Sequence, residues 1–222
     1  GVILITTKSG IRNAKTTVTY AGYGSWANLA KKHKFMTADQ IRQGLTNFSD
    51  RRYDTDWLDA ITRTAFTHNH DVQISGGSAT TTYAGNFSYR RAEGVINTSF
   101  NEEMKMNFDI SHWFFNDMLK LHLGLIKGYH KDNGLDAAGS QIYRQAIMRN
   151  PTEPIYDENG LPYENFGITY YSNPVGLIEE RDGEVKHEWS RMHGDITFEP
   201  IKGWQTTLLL STNRSNKHNA NF

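Results

Sequence analysis

The stretch DMLKLHLGLIKGYH, residues 117–130, places Leu119, Leu121, Leu123, Leu125 and Tyr129 on odd positions and Lys120, His122, Gly124, Gly128 and His130 on even ones. Successive side chains of an extended strand point to opposite faces, so this segment carries one apolar and one wet face. The segment before it repeats the arrangement, with Met104, Met106, Phe108, Ile110 and Phe114 against Lys105, Asn107, Asp109 and Ser111. Asn116-Asp117 between the two is a tight-turn pair.

Working outward, Tyr83, Gly85, Phe87 and Tyr89 oppose Ala84, Asn86, Ser88 and Arg90, and Met192, Ile196 and Phe198 oppose Arg191, His193, Asp195 and Thr197. Trp204, Thr206, Leu208 and Leu210 begin a further strand, in which Leu209 weakens the alternation. Residues 16–26 and 67–75 are more polar but rich in Thr, Val, Ile and aromatics, as strands are. The expectation is about seven strands.

Their connections alternate in length. Gly76-Gly77-Ser78, Asn116-Asp117 and Pro200-Ile201-Lys202-Gly203 are short, whereas residues 28–66, 92–101 and 131–184 are long. Short turns at one end of a meander and long loops at the other characterise outer-membrane barrels. A soluble sandwich has no physical reason to sort its loops in this way.

Composition agrees. Hydrophobic residues make up 37% of the 222, aromatics reach 12%, and there are 19 Gly but only 5 Pro, a balance suited to strands and turns. Lys plus Arg and Asp plus Glu are 24 each, so the formal net charge is zero and a dedicated nucleic-acid binder is not expected. Cysteine is absent, which removes disulfide frameworks and thiolate metal sites. No run of about 18 apolar residues marks a transmembrane helix, but a barrel strand needs only about 10 residues with every second one apolar.

Within the long connections the period changes. Thr37-Ala38-Asp39-Gln40 is a capping-box pattern ahead of Ile41 and Leu45 and predicts a short helix. Residues 56–64 form a further helical turn, and residues 137–149 carry Ile142, Tyr143, Ala146 and Ile147 at helical spacing before Asn150-Pro151. Pro151, Pro154, Asn159-Gly160 and Pro162 then indicate irregular structure with turns.

Three stretches carry a family resemblance. GVILITTK, residues 1–8, followed by TTVTYAGYGSWAN, resembles the end of the plug domain and the first barrel strand of SusC/RagA-type TonB-dependent transporters. Residues 55–96, TDWLDAITRTAFTHNHDVQISGGSATTTYAGNFSYRRAEGVI, are similar to that family's Trp-containing loop, second strand, Ser-Gly-Gly turn and third strand. AIMRNPTEPIYDENGLPY, residues 146–163, resembles its Pro-rich loop with a Tyr-Asp-x-x-Gly turn at Tyr156, Asp157 and Gly160.

The resemblance implies an all-β fold: part of an antiparallel up-and-down transmembrane β-barrel of about 22 strands in the outer membrane, with short helices in long extracellular loops. Residues 1–10 would close the plug and 11–222 would form the N-terminal part of the barrel, an internal piece of a longer chain. The implied partners are a SusD-like surface lipoprotein, the TonB complex reached through the preceding part, a glycan or peptide substrate, and outer-membrane lipid. Lys105, Asn107, Lys120 and His122 would then face the lumen. The implied activity is import of oligosaccharides or other large nutrients, without covalent chemistry and without a cofactor.

Other clusters carry weaker chemical signals. His68-Asn69-His70-Asp71 puts two imidazoles on one strand face with Asp71 available to orient one, but without a third ligand at supporting spacing polar rim residues are favoured and no metal is expected. Glu102-Glu103, Glu179-Glu180 and Asp157-Glu158 are adjacent, so on a strand they diverge and make poor glycosidase pairs. Asp132-Asn133-Gly134 and Asp157-Glu158-Asn159-Gly160 read as turns before calcium loops. Trp26, Trp113, Trp204, Phe114 and Phe198 lie near strand ends, where a barrel places its aromatic girdles. Tyr163, Phe166, Tyr170 and Tyr171 sit in the long loop and either pack within it or contact a ligand or the partner lipoprotein. The rival fold is a soluble extracellular carbohydrate-binding β-sandwich, which requires the apolar strand faces to close into one core; a second rival is an enzyme of the glycoside hydrolase type.

Overall fold

A computed structural model describes residues 10–32, 34–133, 135–165, 167, 171–181 and 183–221. Seven strands form one antiparallel sheet in chain order: β1 (Thr17–Ala27), β2 (Ala65–Gly77), β3 (Thr81–Glu93), β4 (Phe100–Phe114), β5 (Leu119–Asp132), β6 (Gly183–Ile201) and β7 (Trp204–Asn221). Residues 1–9, which include most of the expected plug end, lie outside the described residues.

The register turns the period-two pattern into two surfaces, because residues directly opposite each other share a face. Val18, Ile74, Gly85, Phe108, Leu125 and Met192 form one row running from β1 to β6. The next row on the same face joins Ile110, Leu123, Gly194 and Leu210. On the opposite face Ala84, Asp109, Gly124, His193 and Ser211 line up. Ile126 and Lys127 invert the pattern toward the far end of β5, with Lys127 opposite Met106 on the apolar side.

Among the described residues nothing covers this apolar face. Val18, Leu208 and Leu210 remain 65%, 58% and 68% exposed, and Phe87, Phe108, Met192 and Ile196 are exposed as well. A sandwich would bury such residues against a second sheet; among the described residues there is one sheet, and its apolar side faces outward. An exposed apolar surface of this extent needs a solvent other than water.

Short connections follow β2, β4 and β6, as expected. Ser78 closes the first, its backbone N–H donating to Thr81 O at 2.8 Å and its Oγ accepting from Thr81 N at 3.1 Å. The second spans residues 115–118, with Phe115, Asn116 and Asp117 all at positive φ. The third is Lys202-Gly203, and the register shifts between Phe198 and Ile201, where Pro200 has no N–H to give the ladder. The connection after β3 is shorter than the expected 92–101, since the strands continue to Glu93 and resume at Phe100.

The hydrophobic core lies in the long connections at the other end. The capping box at Thr37 is formed, with both Thr37 and Gln40 side chains bonded to the other's backbone N–H, and starts α1 (Ala38–Arg42). Asp56 caps α2 (Trp57–Ile61), and α3 (Leu135–Met148) follows β5. A further helix, α4 (Pro174–Glu179), was not expected; Asn173 caps it by accepting from Val175 and Gly176 N–H, and Pro174 fills the first turn. Trp57, Leu58 and Ile61 of α2 pack with Leu135, Ile142 and Ala146 of α3 and Val175 and Ile178 of α4, joined by Ile96 from the β3–β4 connection. Three separate connections therefore fold into one cap.

Two surfaces of the same chain should respond oppositely to truncation. Ile61→Ala is expected to cost the cap about 2–5 kcal/mol, seen as earlier proteolysis within residues 28–64 and 133–182 of the detergent-solubilised protein. Leu208→Ala should leave that cleavage pattern unchanged.

Candidate functional site

The polar face of the sheet gathers the residues expected to line a lumen. Lys105, Asn107, Asp109, Ser111 and Trp113 alternate along β4, opposite Gly128, Ile126, Gly124, His122 and Lys120 of β5. Lys105, Asn107, Lys120 and His122 thus share one wall, although Lys105 is drawn to Glu103 Oε2 at 3.0 Å. His122 lies between two carboxylates: Nδ1 is 2.6 Å from Asp195 Oδ1 and Nε2 is 3.1 Å from Asp109 Oδ1.

Trp113 also belongs to this wall, which corrects its expected place in an outer girdle. Its odd position on β4 turns it away from Phe114, and its ring is covered by the Arg12 guanidinium at 3.9 Å and approached by Lys120 Nζ at 5.4 Å. Trp26, Phe114, Phe198 and Trp204 do lie exposed on the apolar face, by their register with Phe66, Leu119, Leu119 and Ile201.

Arg12 fastens the segment entering the sheet. It donates to both oxygens of Asp117 at 2.6 and 2.7 Å, a two-pronged pair with the β4–β5 turn. The same segment lies against the β2–β3 turn through Asn13 N to Ser78 O and Gly77 N to Ala14 O, both 3.0 Å. This approach needs glycine: a Cβ on Gly77 would sit 2.5 Å from Ile11 O, and one on Gly10 would sit 2.5 Å from Tyr83 backbone atoms.

At the loop end, the RNPTEP stretch ties the long connections together. Arg149 and Glu153 are buried, 3% and 2% exposed, with Nε 2.8 Å from Glu153 Oε2. Arg149 also donates to Tyr163 O at 2.7 Å and to Tyr171 O, and lies 3.1 Å from Glu164. Asn150 donates to Ser49 O and accepts through its backbone carbonyl from Trp57 Nε1, each at 2.9 Å, while Thr152 Oγ1 accepts from Arg51 N at 3.0 Å. These buried polar residues are structural: Arg149 gathers backbone carbonyls and carboxylates of its own connection, and Asn150 and Thr152 find their partners in the other long connection.

The remaining candidates divide plainly. Tyr163 lies beside Arg149 and Tyr171 meets Phe48 edge-on at 6.3 Å, so both rings pack within the cap. Phe166 and Tyr170 lie outside the described residues. His68 and His70 share the apolar face, where Tyr20 OH lies 2.7 Å from His70 Nδ1; Asp71 is on the other face beside Asn69 and orients neither imidazole. Asp157 is a turn residue, its Oδ1 accepting from Asn159 and Leu161 N–H at 2.8 and 3.0 Å, and these donors hold its carboxyl below the ordinary range. Gly134 lies outside the described residues, so the expected turn at 132–134 is described only in part.

Comparison with known proteins agrees with this geometry. The TonB-dependent receptor SusC of Bacteroides thetaiotaomicron is 28% identical over 193 residues, covering 78% of this chain. A TonB-dependent receptor of Formosa agariphila is 30% identical over 225 residues, covering 92%. The chain is similar to part of the SusC/RagA type of TonB-dependent transporter. It spans 18% and 22% of those two relatives' lengths. No protein-family model matches it. Among solved structures, the RagAB peptide transporter superposes with a TM-score of 0.71 at 18% identity, and the RagAB peptide importer in its closed-closed state with 0.68 at 17%, each covering 97% of this chain and 30% of that one. SusC/RagA-type chains are outer-membrane β-barrel proteins, whose walls present an apolar face such as the exposed rows described above.

Replacing Arg149 with Ala leaves Glu153 buried without its partner and is expected to destabilise the cap by about 3–5 kcal/mol, read as loss of protease resistance in both long connections. The Arg12 pair has a pH signature. Arg12 holds the Asp117 carboxyl below its ordinary 3.8, so the contact is fully present above that value and is lost as pH falls through the lowered one. In carboxyl NMR of Asp-labelled protein, Arg12→Gln should bring the Asp117 titration back toward 3.8.

Proposed function

We propose that this chain forms part of the wall and the extracellular cap of a TonB-dependent outer-membrane importer for large nutrients, oligosaccharides or peptides. The observation that carries the reading is the separation of surfaces. One sheet face is apolar and uncovered, the other is lined by Lys105, Asn107, Lys120 and His122, and the long connections fold into a cap at one end only.

In this reading the polar face is the lumen wall, residues 11–222 are barrel, and the segment ending at residue 10 belongs to a plug. Arg12 then holds the plug exit against the turns of the inner wall, where a rearranging plug would pull on it. The cap presents its outer surface to a SusD-like surface lipoprotein, and coupling to the TonB complex comes from the preceding part of the protein. The solved RagAB structures are described as a peptide importer, which supports the peptide class, while the oligosaccharide class rests on the family resemblance alone. No reacting constellation is needed for capture and release, so the chain is read as no enzyme.

The test is uptake by cells carrying or lacking the gene for the full-length protein. Fluorescent oligosaccharides and oligopeptides of matched size are supplied with and without a protonophore. Deletion is expected to abolish accumulation of one class, and the protonophore to do the same. Uptake of both classes unchanged by deletion, with the protein recovered in the soluble fraction, would overturn the proposal and favour the soluble binding domain.

A further inference from the structure

We infer that the inner wall carries a transition-metal site built from Asp109 of β4, His122 of β5 and His193 of β6, with Asp195 supporting it. The ligand atoms of the three residues all lie within 4.8 Å of one another. His122 and His193 meet edge to face, ring centroids 5.2 Å apart, and His122 Nε2 is 3.1 Å from Asp109 Oδ1. Ligands at ~2.0–2.2 Å from a tetrahedral ion stand about 3.3–3.6 Å apart. Closing the triad therefore requires only side-chain movements of about an ångström, within the freedom of the imidazole and carboxylate rotamers.

Two features around the triad fit a site better than a chance meeting of polar residues. First, Asp195 Oδ1 lies 2.6 Å from His122 Nδ1. A carboxylate accepting from one imidazole nitrogen fixes the ring and leaves the other nitrogen to bind metal. The ion would lie between Nε2 and Asp109 Oδ1, which are now 3.1 Å apart. Second, Asp109, Gly124 and His193 form one row across three strands, and the middle position has no side chain. The His193 ring lies over that gap: a Cβ on Gly124 would come 2.1 Å from its Cε1 and 2.5 Å from its Nε2. Any other residue at position 124 would push the imidazole out of the row.

The donor set names the class of ion. Two imidazoles and one carboxylate suit Zn2+, Co2+, Ni2+ or Cu2+, whereas Ca2+ and Mg2+ take oxygen ligands. With three protein donors, and with the side chains of His122 and Asp109 20% and 38% exposed, at least one coordination position opens toward the polar side of the sheet. A water, a plug residue or a substrate group can fill it. The site stands whether or not the import reading holds, since it is read by metal binding and not by transport.

The test uses the full-length protein purified in detergent and stripped with a chelator. Co2+ is titrated in and followed by its visible absorption, then displaced by Zn2+. The expected result is one high-affinity equivalent in the wild type. His122→Gln and His193→Ala should each weaken it ~100-fold or more, and Asp195→Asn by about 10–100-fold, as loss of a carboxylate behind a ligating histidine does. Gly124→Ala should abolish it, and His187→Ala, a histidine elsewhere on the polar face of β6, should leave it intact. Heat-dependent gel migration checks that each variant is a folded barrel. Absence of stoichiometric binding in the folded wild type, or binding unchanged in folded His193→Ala, would overturn the assignment.

Discussion

Everything in this structure depends on the cross-strand hydrogen-bond ladder that joins each strand to the next from β1 to β7. In an extended chain the backbone groups point sideways and must be paired with a neighbour, and once they are, both faces of the sheet are free to face different media. The chain uses that freedom fully. Leu121, Leu123, Ile196 and Leu208 meet one environment while Lys120, His122, Asp195 and Thr207 meet another, although the two sets alternate residue by residue. A soluble sandwich would bury the apolar set against a second sheet, and the described residues form one sheet alone.

A sheet with no covered face cannot supply a hydrophobic core, and the core is found in the connections. The connections contribute apolar residues to one shared cluster. Trp57 and Ile61 need Ile142 and Val175, and the alignment of strand ends brings them together. The buried Arg149–Glu153 pair, with Asn150 and Thr152, supplies the polar part of the same junction. A buried ion pair contributes little net stability against an apolar equivalent, but it permits few alternative arrangements, which suits a cap assembled from segments distant in sequence.

Legibility followed the range of the interactions. The strands, their turns and the capping box at Thr37 were readable because alternation, Asn-Asp or Gly-Gly-Ser pairs and Thr-x-x-Gln are local causes with local effects. Trp113 was readable too: counting by twos from Lys105 puts it on the wet face, yet its position near a strand end favoured a girdle. The helix α4 was missed because Pro and Asn in a Pro-rich loop normally signal irregular chain, whereas here Asn173 and Pro174 start a helix. The partners of Arg149 could not be read, since Tyr163 and Tyr171 engage it through backbone carbonyls that carry no residue identity.

What the sequence by itself determined is the set of faces: which residues share a side of each strand, where the chain turns, and that neither face can pair with the other. Parity is a property of one strand and needs no neighbour. Only the tertiary structure decided which strands' faces meet and in what register. That register sets His122 against Asp195, 73 residues away, and lays His193 over Gly124. The long β5–β6 connection is silent about this alignment, because the pairing is chosen by the whole ladder and by the apolar rows that must coincide across it.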